Sequence, residues 1–272
     1  GDSGKILGAG GHLQVATPEL EDSSTGGQRR FAVAWRNRST RRISPVGVLS
    51  FNDGTYTFRY LASARAVPDF RPLLGFPDLE RTYASVRLFP FFAQRVMDKR
   101  RPDYERYLHA LDLPVTASQL DVLGRGGGQR KADRIQVVEE PHVDGDGRTA
   151  CTFVVHGIRH QSSADPALLD SLQPGDELTL RPEPDNPANP RALVVSTLAG
   201  VGIGWVPDLL LDYVHTVVQS SATQLVVRRV NGPDLPPHLR LVVRLVGSAP
   251  AGYLTFHGDA WRLAGTPVSS SI

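Results

Sequence analysis

Cysteine, methionine and lysine are nearly missing from this chain of 272 residues: there is one cysteine, Cys151, and one methionine, Met97. A single thiol excludes an internal disulfide framework and any zinc site built on several cysteines. Lys5, Lys99 and Lys131 are the only lysines. Nearly all the positive charge is therefore arginine, which suits bidentate phosphate or carboxylate contacts better than lysine does. Net charge is only +2, too weak by itself to announce a polyanionic partner. No apolar run reaches the length of a membrane-spanning helix, and no basic, apolar, small-residue signal peptide opens the chain. Its first residue is Gly rather than Met, which points to a processed or engineered end. The expected setting is the cytoplasm, with no membrane partner.

Catalytic and metal-binding patterns are missing as well. No Gly-x-Ser-x-Gly elbow is present, and "GRGGGQRK" lacks the Gly-Lys-Ser/Thr ending of a phosphate loop. Glu139, Glu140, His142, Asp144 and Asp146 match no standard ligand spacing, and "DGDG" reads as a hairpin turn. Cys151, His156 and His160 lie close in sequence. On a strand, however, positions 156 and 160 share a face while 151 lies on the other. The expectation is a protein with no catalytic residues, no metal and no cofactor, and not an enzyme.

What is present is punctuation. Arginines crowd three segments: Arg29 to Arg42, "RVMDKRRPDYER" and "GRGGGQRKADR". Such clusters can also reflect a GC-rich genome. "FAVAWRN" alternates like a strand, and "VGVLSFNDGTYTFRYL" reads as a hairpin turning at Asn52-Asp53-Gly54. Tyr104, Tyr107, Leu108 and Leu111 share one face of a helix that starts after Arg101-Pro102-Asp103. "TASQLDVLG" predicts a short helix, with Thr116 or Ser118 as N-cap and Gly124 past its end. "DRIQVVEEP" and "RTACTFVVHGI" read as strands joined at "DGDG". Further along come a short helix and a strand in "DPALLDSLQPGDELTL", then "ALVVST", "VGIGWVP" and the helix "DLLLDYVHTVV". The strands "TQLVVRRV", "LRLVVRLVG" and "YLTFHGDAWRL" end the series. Short strands with turns between them suggest a small barrel with a helix across it. Trp35, Trp205 and Trp261 are expected to pack as core residues; Trp205, beside a turn, also suits base stacking.

"RPEPDNPANPRALVV", from Arg181, stands out. Its prolines fix φ and remove N–H donors. Its asparagines carry the donors and acceptor that either the loop backbone or a ribose or base edge requires.

The order "VVHGIRH … LQPGDELTLRPEPDNPANPRALVV … GVGIGWVPDLLLDYV" resembles the HIRAN domain. The matching motifs are Gly157-Ile158-Arg159, Gly175-Asp176, Glu183-Pro184 with Asn186-Pro187 and Ala192, and Ile203-Gly204-Trp205-Val206-Pro207. They span about residues 149–217. The resemblance implies a β-barrel related to OB and SH3-like folds. In eukaryotic DNA-remodelling enzymes such a domain captures the free 3′ end of single-stranded DNA; in bacteria it also occurs without a motor. Where those DNA-end binders carry a stacking tyrosine and an aspartate, this chain has Ala188 and Asn189. Asp208 stands where a basic residue is common. Upstream, "PVGVLSFNDGTYTFRYL" and "FPFFAQRVMDKRRPDYERYL" resemble the N-terminal subdomain of HipA-like proteins, without the kinase body.

The fold class expected is α+β, predominantly β. Its parts are a tail at 1–28, a HipA-N-like β-rich domain at 29–116, a short helix and Gly-rich basic linker at 117–131, a HIRAN-type barrel with a packed helix at 132–265, and a tail at 266–272. The function expected is a non-enzymatic nucleic-acid-binding module for single-stranded or 3′-end DNA, in repair, mobile-element or defence settings. Its site would comprise Arg159, His160, Arg181, Asn186, Asn189 and Trp205, with Arg130 and Lys131 adding backbone contacts. The alternative is a regulatory module that binds a protein partner, such as a HipA-like kinase, through its N-terminal domain.

Overall fold

The computed structural model describes residues 27–130, 133–158 and 166–265. The expected tails at 1–28 and 266–272 lie outside the described residues, apart from Gly27 and Gln28. So do Lys131, Arg159 and His160.

Two antiparallel sheets make the body of the protein, which is mostly β with few helices. The first contains β1 (Arg29–Arg36), β2 (Ile43–Asn52), β3 (Thr55–Tyr60), β4 (Tyr83–Ser85) and β5 (Ile135–Glu139), in the order β4-β3-β2-β1-β5. The β2–β3 hairpin turns where expected, with Asp53 and Gly54 at φ 48° and 75°, the left-handed pair that a two-residue turn requires. Alternation along β1 sends Phe31 and Val33 into one core and Ala32 and Ala34 into another. The first core is aromatic, built on Phe31, Phe58, Tyr60, Phe76 and Phe92. Tyr60 Oη donates to Phe76 O at 2.6 Å and accepts from Leu73 N at 2.8 Å. Burial pushes its phenol up to about 12.

Three helices connect β4 to β5: α1 (Pro90–Ala93), α2 (Tyr104–Ala110) and α3 (Gln119–Gly126). Ser118 starts α3 with a capping box: Ser118 Oγ accepts from Asp121 N at 3.2 Å and Asp121 Oδ2 accepts from Ser118 N at 2.8 Å. Gly124 does not end α3 as expected. It lies inside the helix, where an added Cβ would come within 2.9 Å of the Phe31 ring, and left-handed Gly127 is the C-cap.

The second sheet contains β6 (Arg148–Val154), β7 (Glu177–Pro182), β8 (Leu193–Thr197), β9 (Gly202–Trp205), β10 (Gln224–Val230) and β11 (Leu241–Ser248). Helix α4 (Pro166–Ser171) precedes β7, and α5 (Leu211–Ser220) lies between β9 and β10. The order β6-β11-β10-β7-β8-β9 curls until its ends meet. Trp205 and His156, just past β6, exchange two backbone bonds of 2.9 and 2.8 Å. Leu211, Tyr213, Val214 and Val217 of α5 fill the curl together with Val195, Ile203, Val227 and Val243. This core is aliphatic where the first is aromatic.

The two sheets are not separate bodies. Ala32, Ala34 and Val138 belong to the aliphatic core. Tyr104, Leu108 and Leu111 of the α2 region pack with Val122 of α3 on Val154 and Val242. Asp112 pairs with Arg228 at 2.9 Å and Arg229 at 3.1 Å.

Three expectations are corrected. β5, expected to open the barrel at 132, is instead the edge of the first sheet. Its Ile135 and Val137 complete the aromatic core beside β1. The strands expected to meet at "DGDG" are therefore not partners. The turn itself forms, with Asp144 Oδ1 accepting from Asp146 N and Arg148 N at 2.9 Å each, but β5 pairs with β1 and β6 with β11. Lastly, "YLTFHGDAWRL" is a winding return, not a barrel strand. It holds a short 3-10 turn at Asp259–Trp261, bridges Leu263 to Leu61, and buries Ala264 in the aromatic core.

Candidate nucleic-acid interface

The proline-rich loop runs from the end of β7 to the start of β8 and is closed at its base by Glu183 N donating to Ala192 O at 3.0 Å. Inside it, Asn186 Oδ1 accepts from Ala188 N at 2.9 Å and Asn189 N at 3.1 Å. Asn186 Nδ2 donates to Glu183 Oε1 at 2.7 Å. Asn189 Oδ1 accepts from Arg191 N at 2.9 Å, and its side chain also bonds Asp208. Both asparagines brace the loop's own backbone through Oδ1 and also bond the carboxylates of Glu183 and Asp208. The Asp208 carboxyl is shifted up by burial, against the opposing pull of Asn189.

Glu183 is the hub that sequence reasoning did not single out. Trp205 Nε1 donates to the same Oε1 that Asn186 contacts, at 3.2 Å. The loop is thereby tied to the end of β9. Trp205 in turn lies over Gly157, whose φ is 68°. A Cβ there would meet the indole at 2.6 Å, so both the backbone angle and the contact demand glycine. Separate stretches of the motif-bearing sequence thus converge on one indole.

Arg181, Val194 and Trp205 are cross-strand neighbours in successive registers. Side chains directly opposite share a face, so Arg181 and Trp205 flank Val194, two strand spacings or about 10 Å apart. Arg181 is exposed and Trp205 half-buried. The structure therefore brings together Arg181, Asn186, Asn189 and Trp205. Arg159 and His160 follow Ile158 in the chain but lie outside the described residues.

Residues of the first sheet adjoin His156. Gln136 Nε2 contacts the His156 ring at 3.2 Å. Burial, with His238 and Arg36 as like-charged neighbours, lowers His156 to about 4, so the imidazole is neutral at physiological pH. Arg36 N donates to Arg134 O at 2.8 Å, and the Arg134 guanidinium lies 5.2 Å from the Trp35 ring centroid. Arg130 is exposed on the Gly-rich loop, on the first-sheet side and not in the Trp205 cluster. The expected linker is a packed connection: Arg95 Nη1 donates to Gly128 O at 3.1 Å and pairs with Asp133.

A cleft of about 740 Å³ separates β5 from β6. It is lined among others by Gln136, Glu139, Thr152, Arg228 and Arg244. The acidic run set aside as a metal site is spoken for: Arg29 pairs with Glu139 at 2.8 Å, Arg30 with Glu140 at 2.7 Å, and Asp144 braces its turn.

Gly157, Glu183 and Trp205 all lie within a stretch that matches a known family. Residues 149–249 match the HIRAN domain. The HIRAN domain of human HLTF aligns at 14% identity and a TM-score of 0.28, covering 37% of this chain and 75% of that one. A protein from Lactobacillus plantarum aligns at 21% identity and a TM-score of 0.29, covering 38% and 99% respectively. No curated protein matches the chain. The HIRAN match takes in β6 to β11 and leaves the first sheet outside. Among the described residues no helix is long and apolar enough to cross a membrane.

Proposed function

We propose that this protein is a non-enzymatic nucleic-acid-binding protein that engages single-stranded or end-bearing DNA through its HIRAN domain, in a repair, mobile-element or defence setting. The observation that carries the reading is the HIRAN match over residues 149–249, since HIRAN domains are nucleic-acid-binding modules. The half-buried indole of Trp205 supplies a face on which a base can stack, worth about 1–3 kcal/mol. Exposed Arg181 supplies a phosphate contact on the same face. Arg159 and His160, which follow Ile158 in the chain, are the other residues expected of the site. Because Asn186 and Asn189 are engaged within their loop, they act by holding Glu183 and Trp205 in place.

Fluorescence anisotropy tests the reading. Labelled single strands with a free 3′ hydroxyl, the same strands with a blocked 3′ end, and duplex are titrated at low and physiological salt. The expected result is strand binding that weakens when the end is blocked and again in Arg159→Ala. The log–log salt slope should be about −0.7 per phosphate neutralised. Absence of binding to all three would refute it.

The second reading, a module that regulates a protein partner such as a HipA-like kinase, draws on Leu74 and Val86. These apolar residues of the N-terminal region are 82% and 80% exposed. Stoichiometric, salt-insensitive binding of a protein through residues 31–111 would favour it.

A further inference from the structure

The arginine-rich turn between β1 and β2, "NRSTRR" at 37–42, has no role in the HIRAN site as described. Its construction is specific. Asn37 is 9% exposed, and its Oδ1 accepts from Ser39 N and Thr40 N at 2.9 Å each. Asn37 N donates to Arg42 O and Arg41 N to Asn37 O, both at 2.9 Å, while Arg41 takes a left-handed φ of 61°. Every other side chain of the turn is exposed. Among the described residues no carboxylate pairs with Arg38 or Arg42 in an ion pair. Asp133, the acid at the base of the turn, is engaged by Arg95. The turn therefore holds guanidinium groups outward on a braced backbone.

Its position gives that charge a direction. The turn begins one residue beyond Arg36, whose side chain donates to Asp133 O at 3.4 Å. Arg36 lies beside Arg134 and adds to the field at His156, and His156 is bonded to Trp205 through the backbone. Arg36 thus links the turn, one residue away along the chain, to the neighbourhood of His156 and Trp205.

We propose that Arg38 and Arg42, continuing through Arg36 and Arg134, form a phosphate-binding arm that tracks the backbone of a single DNA strand whose end lies at Trp205. The proposal rests on the nucleic-acid reading above. A guanidinium binds phosphate oxygens through a planar fork without reading base identity. The arm therefore adds affinity and salt dependence, and sets how long a strand must be to bind fully.

The test compares the full chain with an Arg38→Gln/Arg42→Gln variant, both changes lying on exposed side chains, after matched circular dichroism and melting curves. Single strands of about 4 and about 16 nucleotides span the usual site sizes of OB-type domains. For the long strand the variant should make the log–log salt slope less negative by about 1.4, two phosphates at about 0.7 each. The short strand should lose less than twofold in affinity. Sensitivity to a blocked 3′ end should persist. An unchanged slope on the long strand, with wild-type binding intact, would overturn the arm and leave the HIRAN reading standing. Equal losses on short and long strands would also overturn it, by showing a diffuse field in place of a track. Failure of the wild-type chain to bind either strand would sink both.

Discussion

Two turns of this protein, at 183–192 and 37–42, share one device and use it to opposite ends. In each, a single asparagine oxygen accepts two backbone N–H groups, Asn186 from Ala188 and Asn189, Asn37 from Ser39 and Thr40. The first turn then faces inward. Its asparagine amide and the Trp205 indole both donate to Glu183, so polar capacity is spent on internal order. The second faces outward and leaves Arg38 and Arg42 exposed. Polar or charged composition alone does not mark a binding loop; what matters is where the polar groups find partners once the backbone is satisfied.

That contrast can be broken from its most constrained point. Gly157→Ala forces a Cβ into the Trp205 ring at left-handed φ and should cost about 3 kcal/mol or more. Gly200 has a similar φ of 87° but open space around it, so Gly200→Ala should cost only about 1 kcal/mol. Melting curves of the two variants measure the difference. Equal losses would mean that the indole does not anchor the inward turn.

The next effect is a pH dependence at the point where the first sheet meets the HIRAN domain. His156 has a folded pKa of about 4 against an ordinary 6.5, so between those values the unfolded state binds more protons. Stability from this group is complete above about pH 6.5 and lost as pH falls toward 4, by up to about 3 kcal/mol, less for its partial exposure. Urea unfolding at pH 7 and pH 4.5 should show a smaller drop in His156→Gln than in wild type. The same drop in both would remove His156 as the cause.

The two asparagines sharpen the comparison directly. Asn186→Asp keeps an acceptor but sets a carboxylate against Glu183, and should cost about 1–2 kcal/mol. Asn37→Asp keeps the acceptor and adds negative charge among arginines, and should stay within about 0.5 kcal/mol of wild type. Chemical denaturation of the pair reads this difference, and a reversal would contradict the inward and outward assignment. Last, Trp205→Phe keeps the ring over Gly157 and removes the bond to Glu183, for about 1 kcal/mol in the same assay.

Local features of the fold were legible before any coordinates. The Asn52-Asp53-Gly54 turn, the Ser118 cap, α2 and the strands from β6 to β11 each carry their signal within a few residues. The order of HIRAN motifs was legible too, from Gly157 to Pro207. Much less could be read of how those motifs function together. Nothing in "EPDNPANP" says that Glu183 receives the Trp205 indole, because that bond joins residues 22 positions apart. The destination of β5 was illegible for the same reason. "IQVV" alternates as any half-buried strand does, and alternation names a face but not a partner.

By itself the sequence determined where most strands, turns and caps form, that the positive charge would be arginine, and that HIRAN motifs run from about 149 to 217. These depend on backbone preferences and side-chain chemistry confined to short windows. Only the tertiary structure decided that β5 joins the first sheet, that Leu263 and Ala264 return to it, and that Arg36, next to the 37–42 turn, lies near His156. Those outcomes depend on which distant surfaces bury each other best. Hydrophobic burial is non-directional, so the winning partner is chosen by the shape of the whole and not by any one segment.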